Sequence, residues 1–148
     1  MSMFTAFNIN ASGLTAQRYR MDIISENVAN ANTTRTADGT PYRRKVVTFE
    51  EKAGGVEKFC AVFNKAKNNY CGNGVKVDAV TEDTWTEMNK VYDPSHPDAD
   101  ENGYVTYPNV NIITEMTNLI DASRAYEANS TAFSASKSIA QQALNMGK

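Results

Sequence analysis

The chain has 148 residues, with 15 Lys and Arg against 17 Asp and Glu, which bounds it to about one ordinary domain. With 41% hydrophobic and 22% charged residues it is neither a disordered tail nor a membrane protein, and no apolar run approaches the roughly 18 residues that a span needs. A net charge of −2 leaves nucleic acid without an electrostatic footing: the nearest basic cluster, Arg43, Arg44 and Lys45, is too short to make a face.

The opening residues, Met-Ser-Met-Phe-Thr-Ala-Phe, lack the basic start and apolar heart of a secretory signal. Any route out of the cytoplasm is therefore expected not to use a cleaved signal peptide. Residues 1–31 contain no Pro and one Gly, and alternate spacings of three and four collect Phe4, Phe7, Ala11, Leu14, Arg18, Met21, Ser25 and Val28. That is the heptad pattern of a helical seam. The helix is expected to end in the Asn-rich passage Asn27, Asn30, Asn32 and Thr33, because Asn and Thr bond their own backbone and favour turns.

The centre is built differently. Six of the eight glycines and all four prolines fall between 39 and 108, which marks turns. Tyr42–Phe49, Gly74–Val80, the Val91-Tyr92 pair and Tyr104–Tyr107 read as strands, with Trp85 extending the β region. Residues 51–73 read as a long loop or weak hairpin, in which Cys60 and Cys71 either remain free thiols or close a disulfide.

From 110 to 146 Pro and Gly are absent again. The same alternation collects Ile112, Met116, Leu119, Ser123, Tyr126, Ser130, Phe133, Lys137, Ala140 and Leu144. Ala122, Ala125, Ala128, Ala132, Ala135 and Ser136 surround this seam with small side chains that let neighbouring helices approach from several sides. The expected fold class is α+β. Long N- and C-terminal helices (1–31 and 109–148) pack as a coiled-coil-like rod, with a turn-rich, small β-rich module at 32–108. At ~1.5 Å per residue each helix is roughly 45–55 Å long, more than a small globule contains, so other subunits are needed to order them fully.

Candidate chemistry is sparse. Asp98, Asp100 and Asn102 at alternate positions before Gly103 echo a calcium loop, but the bidentate Glu would fall at Asn109, and Pro94 and Pro97 block an entering helix. His96 lacks a partner nucleophile, and no phosphate loop or nucleophile elbow is present. No enzyme activity, metal, cofactor or small-molecule substrate is expected.

The passage Ala29-Asn-Ala-Asn-Thr33, after a helix carrying Leu14-Thr-Ala-Gln17, resembles the signature of the bacterial flagellar rod, hook and hook-associated proteins. Four further blocks resemble the proximal rod members of that family: Asp38–Arg43, Val91–Asp100, Gly103–Asn111 and Met116–Asn129. Residues 51–73 depart from the family pattern, being longer and more polar.

The resemblance implies a structural subunit of the basal body, in the periplasmic space or peptidoglycan zone of the envelope. It would reach that place through the flagellar type III export apparatus and form a tube that transmits motor torque. Its partners would be other rod subunits, further copies of itself and the export-gate and MS-ring region. The apolar seam residues become subunit contacts, and Asn27, Asn30, Asn32 and Thr33 shape the turn out of the first helix. The competing reading is a soluble helical binding module, such as an export chaperone for a flagellar partner.

Overall fold

The computed structural model describes residues 3–52 and 72–147. Cys60, Cys71 and most of the 51–73 loop lie outside the described residues. Two long helices bracket four short strands, the expected α+β arrangement: α1 (Met3–Ala29), β1 (Lys45–Glu51), β2 (Val75–Glu82), β3 (Asn89–Tyr92), β4 (Tyr104–Tyr107) and α2 (Ile112–Met146). β1 pairs with β2 and β3 with β4, in separate two-stranded sheets. Among the described residues no helix is long and apolar enough to cross a membrane.

By their contacts the residues form two units, each drawing on both helices. The described residues of the first fall within Met1–Arg18, Phe49–Asp78 and Ser123–Lys148. Here α1 and α2 come close because Gly13 faces Asn129: a β-carbon at Gly13 would sit 3.0 Å from Asn129 Oδ1. Phe7 and Phe133 meet edge to face, with ring centroids 5.1 Å apart. The entry to β2 lies on α1. Val75 N–H donates to Ser12 Oγ at 3.1 Å, and Ser12 Oγ donates to the Ile9 carbonyl at 2.7 Å. Gly74 precedes that bond at φ +92°, and a methyl group there would collide with Ser12 Oγ.

The second unit comprises Tyr19–Thr48 and Ala79–Ala122. Its small apolar core joins Ala31, Tyr42 and Val110, and Ile24, Val105 and Ala122 are also buried. β3 and β4 are antiparallel, with Val91 opposite Val105 and Tyr92 opposite Tyr104; the two tyrosine rings pack edge to face. Asn111 caps α2 through its Oδ1, which accepts from Ile113 N–H at 3.0 Å and Thr114 N–H at 3.3 Å.

Two strand expectations need correction. β1 begins at Lys45 rather than Tyr42, because the backbone before it is committed elsewhere. Tyr42 N–H donates to the Thr33 carbonyl and Arg44 N–H to Asn109 Oδ1. Trp85 extends no strand: it lies in the bend between β2 and β3, 95% exposed, where Asp83 Oδ1 accepts its N–H.

Candidate functional site

Within the second unit, the last turns of α1, the start of β1 and the first turn of α2 converge on one polar side chain. Asn27 is 1% exposed and uses all four of its hydrogen-bonding positions. Its Oδ1 accepts from Tyr42 Oη and Lys45 N–H, both at 2.9 Å. Its Nδ2 donates to the Lys45 carbonyl at 2.8 Å and to Glu115 Oε2 at 3.1 Å. A fully satisfied buried network specifies one arrangement of its elements, since every alternative leaves a partner without a bond.

Glu115 completes the network. Its Oε1 accepts from Arg44 Nε at 2.9 Å, Arg44 Nη2 at 2.7 Å and Asn118 Nδ2 at 3.3 Å. Both carboxylate oxygens thus accept from fixed donors. Arg44 also stands 3.6 Å from Asp83, and Asn109 Nδ2 donates to the carbonyls of Asp83 and Thr86. Hydrogen bonds from Thr86 hold the Asp83 carboxyl below its ordinary range, with Arg44 adding a smaller pull. Burial, reinforced by the charges of Glu26, Glu115 and Glu82, pushes the Tyr42 hydroxyl up to about 12.

Three of the four predicted motif residues act in this junction. Besides Asn27, Asn30 donates through Nδ2 to the Glu26 carbonyl at 3.0 Å and accepts from Thr33 Oγ1 at 3.1 Å, which closes α1 and turns the chain. Asn32 is exposed, on the rim of a groove lined by Ala31, Val91, Tyr107, Val110 and Ile112. Glu115, Arg44, Tyr42 and Asn109 went unassigned in the sequence. The one available signal was a carboxylate set between Ile112, Ile113 and Met116 at the start of α2.

The predicted contact residues divide by face. Phe7, Leu14, Met21 and Val28 are half-buried along α1, whereas Phe4 and Ala11 are exposed. On α2 Leu119, Phe133 and Ala140 are half-buried, and Ile112, Met116, Tyr126 and Leu144 are exposed. The buried and half-buried stripe of α2 runs instead through Glu115, Asn118, Ala122, Ala125, Asn129, Phe133, Ser136 and Ala140. Apart from Leu119 and Phe133 the inward face is small and polar, and the large apolar side chains Ile113, Met116 and Ile120 point outward. Of the small residues expected to surround the seam, Ala128, Ala132 and Ala135 are exposed.

The remaining candidates are accounted for locally. Asp98 accepts from Thr34 Oγ1 at 2.8 Å and lies 3.8 Å from Arg35, so it ties its loop to the segment after α1. His96 Nδ1 accepts from Asp98 N–H at 3.1 Å. Among the described residues no group of three His, Cys, Asp or Glu side chains could hold a metal ion.

Comparison with known proteins converges on the same segments. Residues 7–35 match the family model for flagella basal body rod proteins, and residues 101–146 match that for the C-terminal region of the flagellar basal body rod FlgEFG proteins. Over the whole of both chains, the sequence is 45% identical to the flagellar basal-body rod protein FlgC of Bacillus subtilis. It is 43% identical to that of Borreliella burgdorferi over 97% of each chain, and 38% identical to that of Salmonella typhimurium over the whole of both. The chain belongs to the FlgC family of flagellar basal-body rod proteins. Both matched segments contribute to the junction: Asn27, Asn30 and Thr33 fall in the first and Asn109, Glu115 and Asn118 in the second, while Tyr42, Arg44 and Lys45 lie between them.

Proposed function

We propose that this chain is a structural subunit of the flagellar basal-body rod, joined to its neighbours through the exposed faces of α1 and α2. In that reading residues 1–31 and 109–148 are the assembling helices and 32–108 is the module they carry. The observation that carries it is the division of α2: its own chain meets mostly small and polar side chains, while Ile113, Met116 and Ile120 are left to solvent. A helix that turns its larger apolar residues outward is built for further partners. Full-length likeness to proteins named as rod subunits supports this reading over the export chaperone.

The subunit has no catalytic role, and transmits torque as part of a close-packed shaft that resists deformation. Its partners are other rod subunits, copies of itself and the export-gate and MS-ring region at the rod base. It reaches the envelope through the flagellar type III apparatus.

Met116→Asp and Ile120→Asp test the reading, because these residues are 55% and 53% exposed and their replacement should leave the subunit fold intact. Each purified variant should keep the helical circular dichroism of the parent yet leave cells without assembled rods. Normal motility in both variants would overturn the assignment of this face. Phe133→Asp is a poorer probe, since it also breaks the Phe7 contact.

A further inference from the structure

The chain contains two Asn-Gly pairs, Asn73-Gly74 and Asn102-Gly103, and both asparagines are exposed. Such pairs can rearrange without an enzyme. The backbone nitrogen of the glycine, after losing its proton to hydroxide, attacks the asparagine Cγ; a C–N bond forms, the bond to the side-chain nitrogen breaks, and ammonia leaves. Water then opens the resulting succinimide at either carbonyl, giving aspartate or isoaspartate. Glycine favours the attack because no β-carbon shields its nitrogen.

The two pairs differ in the state of that nitrogen. Gly103 N–H donates to the Asp100 carbonyl at 2.8 Å, inside a loop whose ends are also tied by Asp93 N–H to the Gly103 carbonyl and Asp100 N–H to the Tyr104 carbonyl, each at 2.9 Å. Attack by Gly103 requires that bond to be given up. Gly74 differs: its carbonyl accepts from Lys52 N–H at 2.9 Å, and its own N–H has no hydrogen bond among the described residues.

We propose that Asn73 is a spontaneous deamidation site of the folded subunit and that the turn at Asn102 protects the second pair. The product has a structural consequence. Isoaspartate adds a backbone carbon immediately before Gly74, where the chain already lies against Ser12 with no room for a methyl group. The bond from Val75 N–H to Ser12 Oγ, which seats β2 on α1, is the contact placed at risk. The product also carries one more negative charge.

The test is timed incubation of the full chain in mildly alkaline buffer, with peptide mass mapping and isoaspartate detection at both sites. In the folded protein Asn102 should convert roughly 2- to 10-fold more slowly than Asn73, the factor that one backbone hydrogen bond is worth. In urea the two rates should converge, and Asn73→Gln should leave only the slow product. Equal rates in the folded protein would overturn the proposal, as would a ratio that persists unchanged in urea.

Discussion

Asn27 and Glu115, 88 residues apart in the chain, are joined by a buried hydrogen bond of 3.1 Å. Through it the end of the first helix and the first turn of the last are fixed together, with Arg44 and Tyr42 of the intervening segment on either side. Asn is suited to this place because a single side chain offers two donors and two acceptors.

Asn27→Ala removes four bonds and leaves Tyr42 Oη and Glu115 Oε2 without this partner. Unsatisfied buried groups cost ~1–3 kcal/mol each, so the variant should lose about 3 kcal/mol in urea unfolding. Asn27→Asp keeps the shape but brings a carboxylate against Glu115, and should lose at least as much. A loss under about 1 kcal/mol in either variant would mean that the junction does not hold the fold.

Arg44→Met should cost about 3–5 kcal/mol, because Glu115 is 1% exposed and would keep a buried charge without its cation. The double variant Arg44→Met, Glu115→Leu should recover most of that loss. Chemical denaturation of the two single variants and the double measures the coupling directly, and purely additive losses would show that the pair acts separately.

Tyr42 should make stability fall in alkali. Its hydroxyl is raised from 10.0 to about 12, so the folded state holds the proton more tightly than the unfolded chain does. The stabilisation is complete below pH 10 and is lost as pH rises towards 12. Unfolding midpoints followed across that window should slope downward in the parent more steeply than in Tyr42→Phe. Parallel slopes would refute the assignment.

Gln17 offers a gain. Among the buried side-chain nitrogens and oxygens of the described residues, its Oε1 is the one left without a hydrogen-bond partner. Gln17→Met keeps the length and removes the unsatisfied acceptor, and should raise stability by ~1 kcal/mol. An unchanged or lower denaturation midpoint would show that the oxygen is satisfied in solution.

Much of this architecture is legible in the sequence because helix breakers are so unevenly placed. The absence of Pro and near-absence of Gly at both ends located α1 and α2, and β-branched runs located β2 and β4. The exit motif was also readable, since Asn30 and Thr33 act within a few residues of each other. The inward face of α2 was legible in part: the seam includes the half-buried Leu119, Phe133 and Ala140, and the small residues noted beside it include Ala122, Ala125 and Ser136, but Asn129 went unnoticed. A polar side chain that packs by hydrogen bonding leaves no hydrophobic signal to find. Glu115 escaped for a related reason: its partners Asn27 and Arg44 are distant in sequence, so its burial could not be anticipated locally. The early start predicted for β1 failed because Arg44 N–H serves Asn109, a long-range bond that propensity cannot see.

The outward-turned isoleucines and methionine of α2 also set the thermodynamic character of whatever covers them. Removing Ile113, Met116 and Ile120 from water carries a negative heat-capacity change and little enthalpy near room temperature. Association through this face should therefore strengthen on warming from the cold and weaken when chilled, and the free subunit should be most soluble at low temperature.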